Sequence, residues 1–302
     1  MIRRRLMLVM LTSSLLAACQ PVATRPGQST AAPAPAGTLL FEDDFDSDAL
    51  DRSKWMVVGP DLWVNNEQQA YIDSPDTIHI LPAGSIAGAQ GGVLAIQPKY
   101  QPGYCTPSGR TADFVSGRIT TRGKFDFTYG TASARIKMPD AKGAWPAFWM
   151  LGNGEWPATG EIDIMEYVGE KDWISSALHG PGYSGDTPLV ARHVFTNGSD
   201  VTDWHIYSVD WSPDEILFRI DGTPTYRVTR AMVERHGRWA FDNPKYLLLN
   251  FALGGAYPSG VNGIETPYSG LPQATVDRIR RGNIAMYVDW VRVEGTERKA
   301  DR

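Results

Sequence analysis

Cysteine, histidine and long apolar runs are scarce in this chain. Its 302 residues include two cysteines and five histidines, which excludes a disulfide framework and a zinc-type cluster of Cys and His ligands. The pair Gly254-Gly255 is typical of a turn and lacks the further residues of a phosphate-binding loop. Basic residues are outnumbered as well, with 29 Lys and Arg against 34 Asp and Glu. An acidic chain suits polyanions poorly, which argues against a nucleic-acid partner and favours a neutral ligand.

Aromatic residues, glycine and proline are abundant by contrast. Aromatic residues make up 11% of the chain, alongside 30 Gly and 21 Pro. This composition, with few long helical periods, favours an all-β sandwich or barrel. Short strand patterns recur between turn residues, at 93–97, 116–121, 132–138, 147–151, 160–167, 205–211, 216–220, 225–228 and 246–252. No repeat and no second linker divides these patterns, so we predict one domain over residues 38–294.

Local signals predict one hairpin and two short helices. Asp221-Gly222 lies between two strand patterns, which is typical of a β-hairpin. Thr229 is expected to cap a helix over 230–236, and Thr275 to cap a helix over 276–281. Neither helix is long enough to define the architecture.

The amino terminus predicts export and a lipid anchor. Three arginines precede an apolar run that is too short to span a membrane, which is the pattern of a signal peptide over residues 1–18. The run ends in Leu-Ala-Ala-Cys19, which resembles the lipobox of bacterial lipoproteins, where the cysteine carries the lipid. Gln20, in place of an aspartate retention signal, implies sorting to the outer membrane, facing either the periplasm or the cell surface. The competing interpretation is an ordinary secretory signal, which also exports the protein.

Low-complexity and charged segments flank the predicted domain. Residues 19–37 are mainly Pro, Ala, Thr, Ser and Gly and predict a flexible tether, and residues 295–302 predict a charged tail. Cys105 lies in a sequence of loop composition and is expected to be an unpaired thiol without a role. If Cys19 carries lipid, the chain has no partner for an intramolecular disulfide.

The stretch Gly160-Glu161-Ile162-Asp163-Ile164-Met165-Glu166 concentrates three carboxylates among apolar residues. Alternating acidic and apolar residues predict a β-strand with one polar and one buried face. Glu161 and Asp163 then share a face, but Glu166 falls on the opposite one. A one-residue β-bulge near Ile164 and Met165 would bring all three acids to one face. A solvated acidic edge strand is the competing interpretation, and the large apolar residues argue against it.

Such a row of acids suits glycoside cleavage. That reaction needs one acid to protonate the leaving oxygen and one carboxylate to act at the anomeric carbon or on water. A retaining enzyme places the two groups about 5–5.5 Å apart and an inverting enzyme about 6.5–9.5 Å apart. The spacing of these residues along the chain is compatible with a retaining and with an inverting reaction. Asp163, between the two glutamates, is placed to hydrogen-bond one of them and shift its pKa.

Glu161-Ile-Asp-Ile-Met-Glu166 resembles the active-site sequence of glycoside hydrolase family 16, in the bulged form of its laminarinase-type members. Further blocks of the chain resemble the family in the same order: Asn66–Gln69, Ser116–Arg118, Gly143–Met150, Trp156-Pro157, His179–Gly182, Asn250–Gly255 and Val288–Val293. The resemblance implies a β-jelly roll of two curved antiparallel sheets with a sugar-binding cleft on the concave face. It also implies a retaining reaction, with Glu161 as nucleophile, Asp163 as assisting acid and Glu166 as general acid/base.

The resemblance assigns further residues to the substrate cleft: Asn66, Glu67, Arg118, Trp145, Trp149, Trp156 and His179. The first three match positions that hydrogen-bond sugar hydroxyls, and the histidine matches a cleft histidine. The tryptophans could stack on pyranose faces. The competing interpretations are an ion pair for Arg118, a structural role for His179 and core packing for the tryptophans, which we favour for Trp149.

The implied reaction needs no cofactor, but many members of this family hold a structural calcium ion on the convex side. Asp289, Asp44 and Gly92 match its ligand positions. Oxygen ligands suit Ca²⁺, so calcium is a candidate structural ligand.

One departure from the family bears on substrate choice. After Gly254-Gly255, many laminarinase-type members have Trp before Pro, whereas this chain has Ala256-Tyr257-Pro258 and then an insertion-like run over 259–273. The leading hypothesis is a monomeric endo-acting hydrolase of β-1,3-glucan or mixed β-1,3-1,4-glucan. The alternatives are a hydrolase of a galactan or agarose-type polymer, a transglycosylase of cell-surface glucan, and a non-catalytic carbohydrate-binding protein.

Overall fold

The predicted strand patterns correspond to strands in the computed structural model, which describes residues 37–295. The strands are β1 (Thr38–Asp43), β2 (Met56–Val57), β3 (Gln69–Tyr71), β4 (Ile78–Leu81), β5 (Val93–Ile96), β6 (Lys99–Cys105), β7 (Thr111–Ser116), β8 (Arg118–Thr120), β9 (Gly130–Lys137), β10 (Ala144–Gly152), β11 (Glu161–Glu166), β12 (Trp173–His179), β13 (Val190–Val194), β14 (His205–Trp211), β15 (Glu215–Ile220), β16 (Thr223–Thr229), β17 (Lys245–Leu253) and β18 (Met286–Gly295). The helices are α1 (Arg230–Val233), α2 (Ala256–Asn262) and α3 (Gln273–Arg280). The predicted signal peptide, Cys19, the tether up to residue 36 and the tail from residue 296 lie outside the described residues.

Two large antiparallel sheets form the body of the fold. One has the order β16-β15-β14-β9-β18-β5-β4, with β1 also paired to β18, and the other has the order β13-β12-β11-β10-β17-β8-β2. Strand β9 is buried at every second residue, as expected for a strand with one face on a core. Apolar side chains of both sheets meet in one core, among them Ile136, Val209, Phe148, Ile162 and Leu249. The predicted all-β architecture of two sheets is confirmed.

A smaller sheet of the order β3-β7-β6 flanks this body. Cys105 is the last residue of β6, so its placement in a loop was wrong. Its thiol is free, as predicted, and the residue is exposed. In the part of the chain that the structure describes, no helix is both long and apolar enough to cross a membrane.

The hairpin follows its local signal, and the first helix starts where predicted but ends at Val233, three residues short of the predicted end. Asp221 and Gly222 have φ values of 50° and 76°, the left-handed pair that joins β15 to β16 in a tight turn. Thr229 caps α1, because its side chain accepts a hydrogen bond from the Met232 amide.

The second helix starts earlier than predicted, and a third was not predicted. Helix α3 begins at Gln273 after Pro272, whose fixed φ suits a helix start. Thr275 therefore lies inside the helix, and its hydroxyl donates to the Lys142 carbonyl at 2.7 Å instead of capping. Helix α2 contains the Ala256-Tyr257-Pro258 departure and the start of the insertion-like run.

The predicted β-bulge lies in β11. Phe148 of β10 pairs with Met165, and the next residue, Trp149, pairs with Asp163, so Ile164 has no partner on β10. Both Ile164 and Met165 point into the core. The hydroxyl of Ser176 donates to the Ile164 carbonyl at 2.9 Å, which satisfies a backbone group that the bulge removes from regular pairing. This extra residue puts Glu166 on the same face as Glu161 and Asp163.

Candidate active site

Cross-strand pairing aligns three rows of side chains on one face of the seven-stranded sheet, because residues directly opposite each other share a face. The first row is Arg118, Asn250, Ala147, Glu166, Ser175 and Arg192. The second row is Leu248, Trp149, Asp163, Ala177 and Val190. The third row is Tyr246, Leu151, Glu161 and His179. Each of the three acids therefore lies in its own row, and the rows are consecutive.

Glu161 is held by a tryptophan and faces a histidine. The indole N–H of Trp156 donates to Glu161 Oε2 at 2.5 Å. Trp156 belongs to the segment that connects β10 to β11, and 53% of it is exposed. His179 lies opposite Glu161 on β12. A hydrogen bond donated to a carboxylate favours its ionised form, so Trp156 supports a negative charge on Glu161.

Asp163 is the most enclosed of the three acids, with 3% of its surface exposed. His179 Nε2 lies 3.1 Å from Asp163 Oδ2. One ligand-type atom each of Glu161, Asp163 and His179 lies within 4.8 Å of the others. The predicted cleft histidine therefore contacts the acid cluster directly.

Glu166 has a tryptophan partner of its own. The indole N–H of Trp145 donates to Glu166 Oε1 at 3.1 Å. The ring of Tyr257 packs edge-on against Trp145, with centroids 5.6 Å apart. The Tyr257 hydroxyl lies 3.1 Å from that of Ser175, which is paired with Glu166 across β11 and β12. The residue that departs from the family pattern is thus part of the site.

Burial raises the pKa of all three acids. It raises the pKa of Glu161 to about 8, with the Asp163 carboxyl adding to the effect. It raises the pKa of Glu166 to about 7, against the opposing effects of His179 and the Trp145 N–H. The pKa of Asp163 lies well above its ordinary range, owing to burial and then to Glu166. Carboxylates this close cannot all ionise freely, so the cluster retains protons at neutral pH and titrates as a group.

A buried polar network borders the acids on the β17 side. The Trp149 indole donates to Asn250 Oδ1 at 2.7 Å, and Asn250 Nδ2 donates to the Tyr71 hydroxyl at 3.1 Å. Glu67 accepts from the Tyr71 hydroxyl at 3.2 Å and from Gln69 Nε2 at 2.7 Å. Burial raises the pKa of Glu67. A network with this many mutual partners holds its members in fixed positions.

Arg118 and Trp149 lie together beside this network. The Arg118 guanidinium sits 4.7 Å from the centre of the Trp149 ring and 5.8 Å from that of Tyr71. Its Nε is buried and has no hydrogen-bond partner among the described residues. Trp149 is half-buried and lies in the second row, on the same sheet face as the acids, so our preference for a core position was wrong. Asn66 is exposed and has a left-handed backbone with φ of 56°.

The structure adds residues to the site that the sequence patterns did not single out: Tyr71, Ser175, Arg192 and Tyr246. Asn250 and Tyr71 are 179 residues apart, and Ser175 and Tyr257 are 82 residues apart. Arg192, on β13, stacks on the Trp173 ring at 4.1 Å at one end of the first row. Strand β12 reads Trp-Ile-Ser-Ser-Ala-Leu-His, which does not alternate regularly, so the sequence carried no local signal for Ser175.

The predicted calcium ligands do not form a site that fits the ion. The Asp289 carboxylate is enclosed, its Oδ1 accepts from the Gln90 amide at 2.9 Å, and its Oδ2 is paired with the Arg135 guanidinium. Asp44 is exposed, and the Gly92 N–H donates to a neighbouring carboxylate at 2.6 Å. Arg135 therefore stands beside Asp289 where a cation would bind. With Arg135 in that place, we expect no calcium ion at Asp289, and metal titration tests this expectation.

Known proteins resemble this chain over most of its length. A β-glucanase of Rhodothermus marinus is 35% identical over 262 residues, which is 82% of this chain and 85% of that protein. The structure of an endo-β-1,3-glucanase from Pyrococcus furiosus superposes with a TM-score of 0.73 at 33% identity, covering 85% of this chain and 94% of that one. The laminarinase catalytic domain from Thermotoga maritima superposes with a TM-score of 0.72 at 30% identity, covering 87% of this chain and all of that one.

The family model described as glycosyl hydrolases family 16 matches residues 93–270, a span that includes the bulged strand, both tryptophan donors and Asn250. The two-sheet jelly roll, the acid rows and these relatives agree: the chain belongs to glycosyl hydrolase family 16.

Proposed function

We propose that this protein is a retaining, endo-acting glycoside hydrolase that cleaves β-1,3-glucan, and also mixed β-1,3-1,4-glucan. The observation that carries the proposal is the bulge of β11, which sets Glu161, Asp163 and Glu166 in consecutive rows of one sheet face. The relatives named as a β-glucanase, an endo-β-1,3-glucanase and a laminarinase support the choice of glucan as substrate.

The first step uses Glu161 and Glu166 on one glycosidic bond. A carboxylate oxygen of Glu161 attacks the anomeric carbon, and the bond from that carbon to the leaving oxygen breaks. Glu166 gives its proton to the leaving oxygen. The pKa values of about 8 for Glu161 and about 7 for Glu166 leave one proton on the pair near neutral pH, and the reactive form is the one in which Glu166 carries it. The Trp156 N–H stabilises the Glu161 charge before the attack.

The second step releases the sugar from Glu161. Glu166, now a carboxylate, takes a proton from water, and the water oxygen attacks the anomeric carbon. The bond to Glu161 breaks and its carboxylate is restored. Asp163, whose pKa is raised well above its ordinary range, is the group that holds a proton beside Glu161 in both steps.

Aromatic and amide side chains around the acids suit a neutral sugar polymer. Trp145, Tyr257 and Trp156 expose ring surface next to the glutamates, and aromatic faces bury the apolar side of a pyranose. Arg118 is half-buried at the end of the first row, and its guanidinium group supplies N–H donors for a sugar hydroxyl. Tyr257, where many family members have Trp, is the residue that we expect to tune the preferred linkage.

A product profile tests the proposal. Wild-type protein, Glu161→Ala and a control, Glu170→Ala, are incubated with laminarin, lichenan, agarose and carrageenan. We expect oligosaccharides from laminarin and lichenan with the wild type and the control, and none with Glu161→Ala. Products from agarose or carrageenan alone would indicate a galactan-type hydrolase. Redistributed chain lengths without new reducing ends would indicate a transglycosylase, and binding without cleavage would indicate a carbohydrate-binding protein.

We also propose that the protein is exported and anchored in the bacterial outer membrane through a lipid on Cys19. This localisation is supported by the basic start, the short apolar run and the Leu-Ala-Ala-Cys19-Gln20 sequence. Replacing Cys19 by Ala should move the protein from the membrane fraction to the soluble fraction. A variant that stays with the membrane would contradict the anchor. Size-exclusion chromatography of the released protein tests the predicted monomer.

A further inference from the structure

Lys245 is a fully buried lysine that the proposed reaction does not use. It is the first residue of β17, and none of its surface is exposed. Lysine is almost never fully buried unless its charge is paired, because moving an ammonium group out of water costs much free energy. A buried lysine at this position therefore calls for a specific role.

Three uncharged acceptors surround the ammonium group. Lys245 Nζ donates to the Thr159 carbonyl at 2.6 Å, to the Ala240 carbonyl at 3.3 Å and to Asn243 Oδ1 at 3.2 Å. An ammonium group has three N–H donors and a neutral amine has two, so this set of acceptors matches the charged form. The charge is also supported by the Trp211 and Phe241 rings, whose centres lie 5.6 and 5.4 Å away.

The shortest of these bonds fixes a loop next to Glu161. Thr159 is the second-last residue of the segment 153–160, which is compact because the Thr159 amide donates to the Glu155 carbonyl and the Gly160 amide to the Pro157 carbonyl. Trp156, in the same segment, donates its indole N–H to Glu161. Lys245 is thus linked to Glu161 through the loop and Trp156.

The junction between loop and strand leaves no spare space. A Cβ atom at Gly160 would lie 2.5 Å from the Ala240 carbonyl oxygen and 2.9 Å from the Phe241 ring. Gly160 also has a left-handed backbone, with φ of 73°. Gly160 is packed against residues 240 and 241 and is followed directly by Glu161. A displacement of the loop from these residues therefore displaces Glu161 as well.

Other charges act on this group weakly. Burial lowers the pKa of Lys245 to about 7, and the Asp242 carboxylate opposes that shift. Asp242 is itself paired with Arg230 at 2.6 Å and accepts the Trp239 indole N–H at 2.8 Å. The loop carbonyls, more than a carboxylate partner, therefore hold the ammonium group.

From this geometry we infer that Lys245 is a positioning residue, which holds the segment 153–160 so that the Trp156 N–H stays on the Glu161 carboxylate. The inference rests on the proposed function, because the position of Trp156 matters only if Glu161 is the nucleophile. Lys245 itself touches neither the substrate nor the reacting atoms.

Lys245→Met tests the inference, since methionine fills similar space without donors. We expect kcat per folded molecule on laminarin to fall about 10-fold or more with KM changed less than about 2-fold, because a misplaced catalytic group costs turnover more than binding. Lys171→Met, the same change at an exposed ion pair, should leave kcat at the wild-type value. An unchanged kcat in Lys245→Met, or an equal loss in Lys171→Met, would overturn the inference. Lys245→Gln, which is too short to reach all three acceptors, should show the same loss if the methionine variant does not fold.

A double-mutant cycle shows whether Lys245 acts through Trp156. Trp156→Phe removes the indole N–H, so adding Lys245→Met to it should lower kcat little further. An additional loss as large as in the wild-type background would overturn the route through Trp156.

Amide hydrogen exchange measures the stability of the segment 153–160 in the absence of substrate. The amides of Thr159 and Gly160 should exchange about 10-fold faster or more in Lys245→Met than in the wild type. Unchanged exchange would overturn the inference. A protein that cuts none of the polysaccharides tested would overturn the proposed function instead, and the exchange result would still stand.

Discussion

Glu161→Gln should stabilise the protein at alkaline pH while it abolishes turnover. Burial raises the pKa of Glu161 from 4.5 to about 8. The folded protein therefore binds more protons than the unfolded chain between these pH values, and wild-type stability falls as pH rises through that window. Glutamine keeps the size and an acceptor for the Trp156 N–H but does not titrate, so the variant escapes this loss.

The size of the effect follows from the shift. At roughly 1.4 kcal/mol per pKa unit the full shift gives an upper bound of roughly 4–5 kcal/mol. Partial exposure and proton sharing with Asp163 reduce this, and we expect about 2 kcal/mol. The quantity is the free energy of unfolding of Glu161→Gln minus that of the wild type, which should increase by that amount from pH 5 to pH 8.

Urea unfolding followed by fluorescence at pH 5 and pH 8 measures this difference, provided that the m-values of the two proteins agree. Glu234→Gln, at an exposed position, is the matched control and should give the same difference at both pH values. An equal difference for Glu161→Gln at pH 5 and pH 8 would refute the claim that ionising Glu161 destabilises the folded protein.

Three further predictions concern pH, metal and the bulge. The pKa values of about 7 for Glu166 and about 8 for Glu161 predict a bell-shaped kcat/KM with its maximum between pH 7 and 8, because one proton on the pair is needed; a maximum below pH 5 would be contrary to this. Arg135 occupies the position that a cation would take beside Asp289, so the midpoint of thermal unfolding should be equal in EDTA and in millimolar calcium. A higher midpoint in calcium would show that the protein binds the ion after all. Ser176→Ala, which removes the donor to the bulged Ile164 carbonyl, should destabilise the protein by about 1 kcal/mol and lower activity; unchanged values would show that the bulge does not need this bond.

The bulge could be predicted because the polarity of Met165 and Glu166 does not fit the regular alternation of a strand. Regular alternation would bury Glu166 and expose Met165, and both are unfavourable, so one extra residue is the simplest solution. The structure places that residue at Ile164. The division of roles among Glu161, Asp163 and Glu166 came from the family resemblance, because three carboxyl groups on one strand do not differ in sequence pattern.

The neighbours of the acids could not be predicted in the same way. Tyr71 and Ser175 reach the site through contacts with residues far away in the chain, and such contacts leave no local period. Lys245 opens a strand of otherwise apolar character, where a lysine would ordinarily mark the exposed end. Arg135 faces Asp289 only because β9 and β18 are paired. Each of these contacts depends on tertiary packing.

The configuration of the first product tests the central claim, double displacement at Glu161, most directly. Proton NMR of a β-1,3-glucan oligosaccharide, recorded during the first minutes of cleavage by the wild-type protein, distinguishes the two anomers before they interconvert. The claim predicts that the new reducing end appears first in the β configuration, with the α form growing in later by mutarotation. A reducing end that appears first in the α configuration would contradict it.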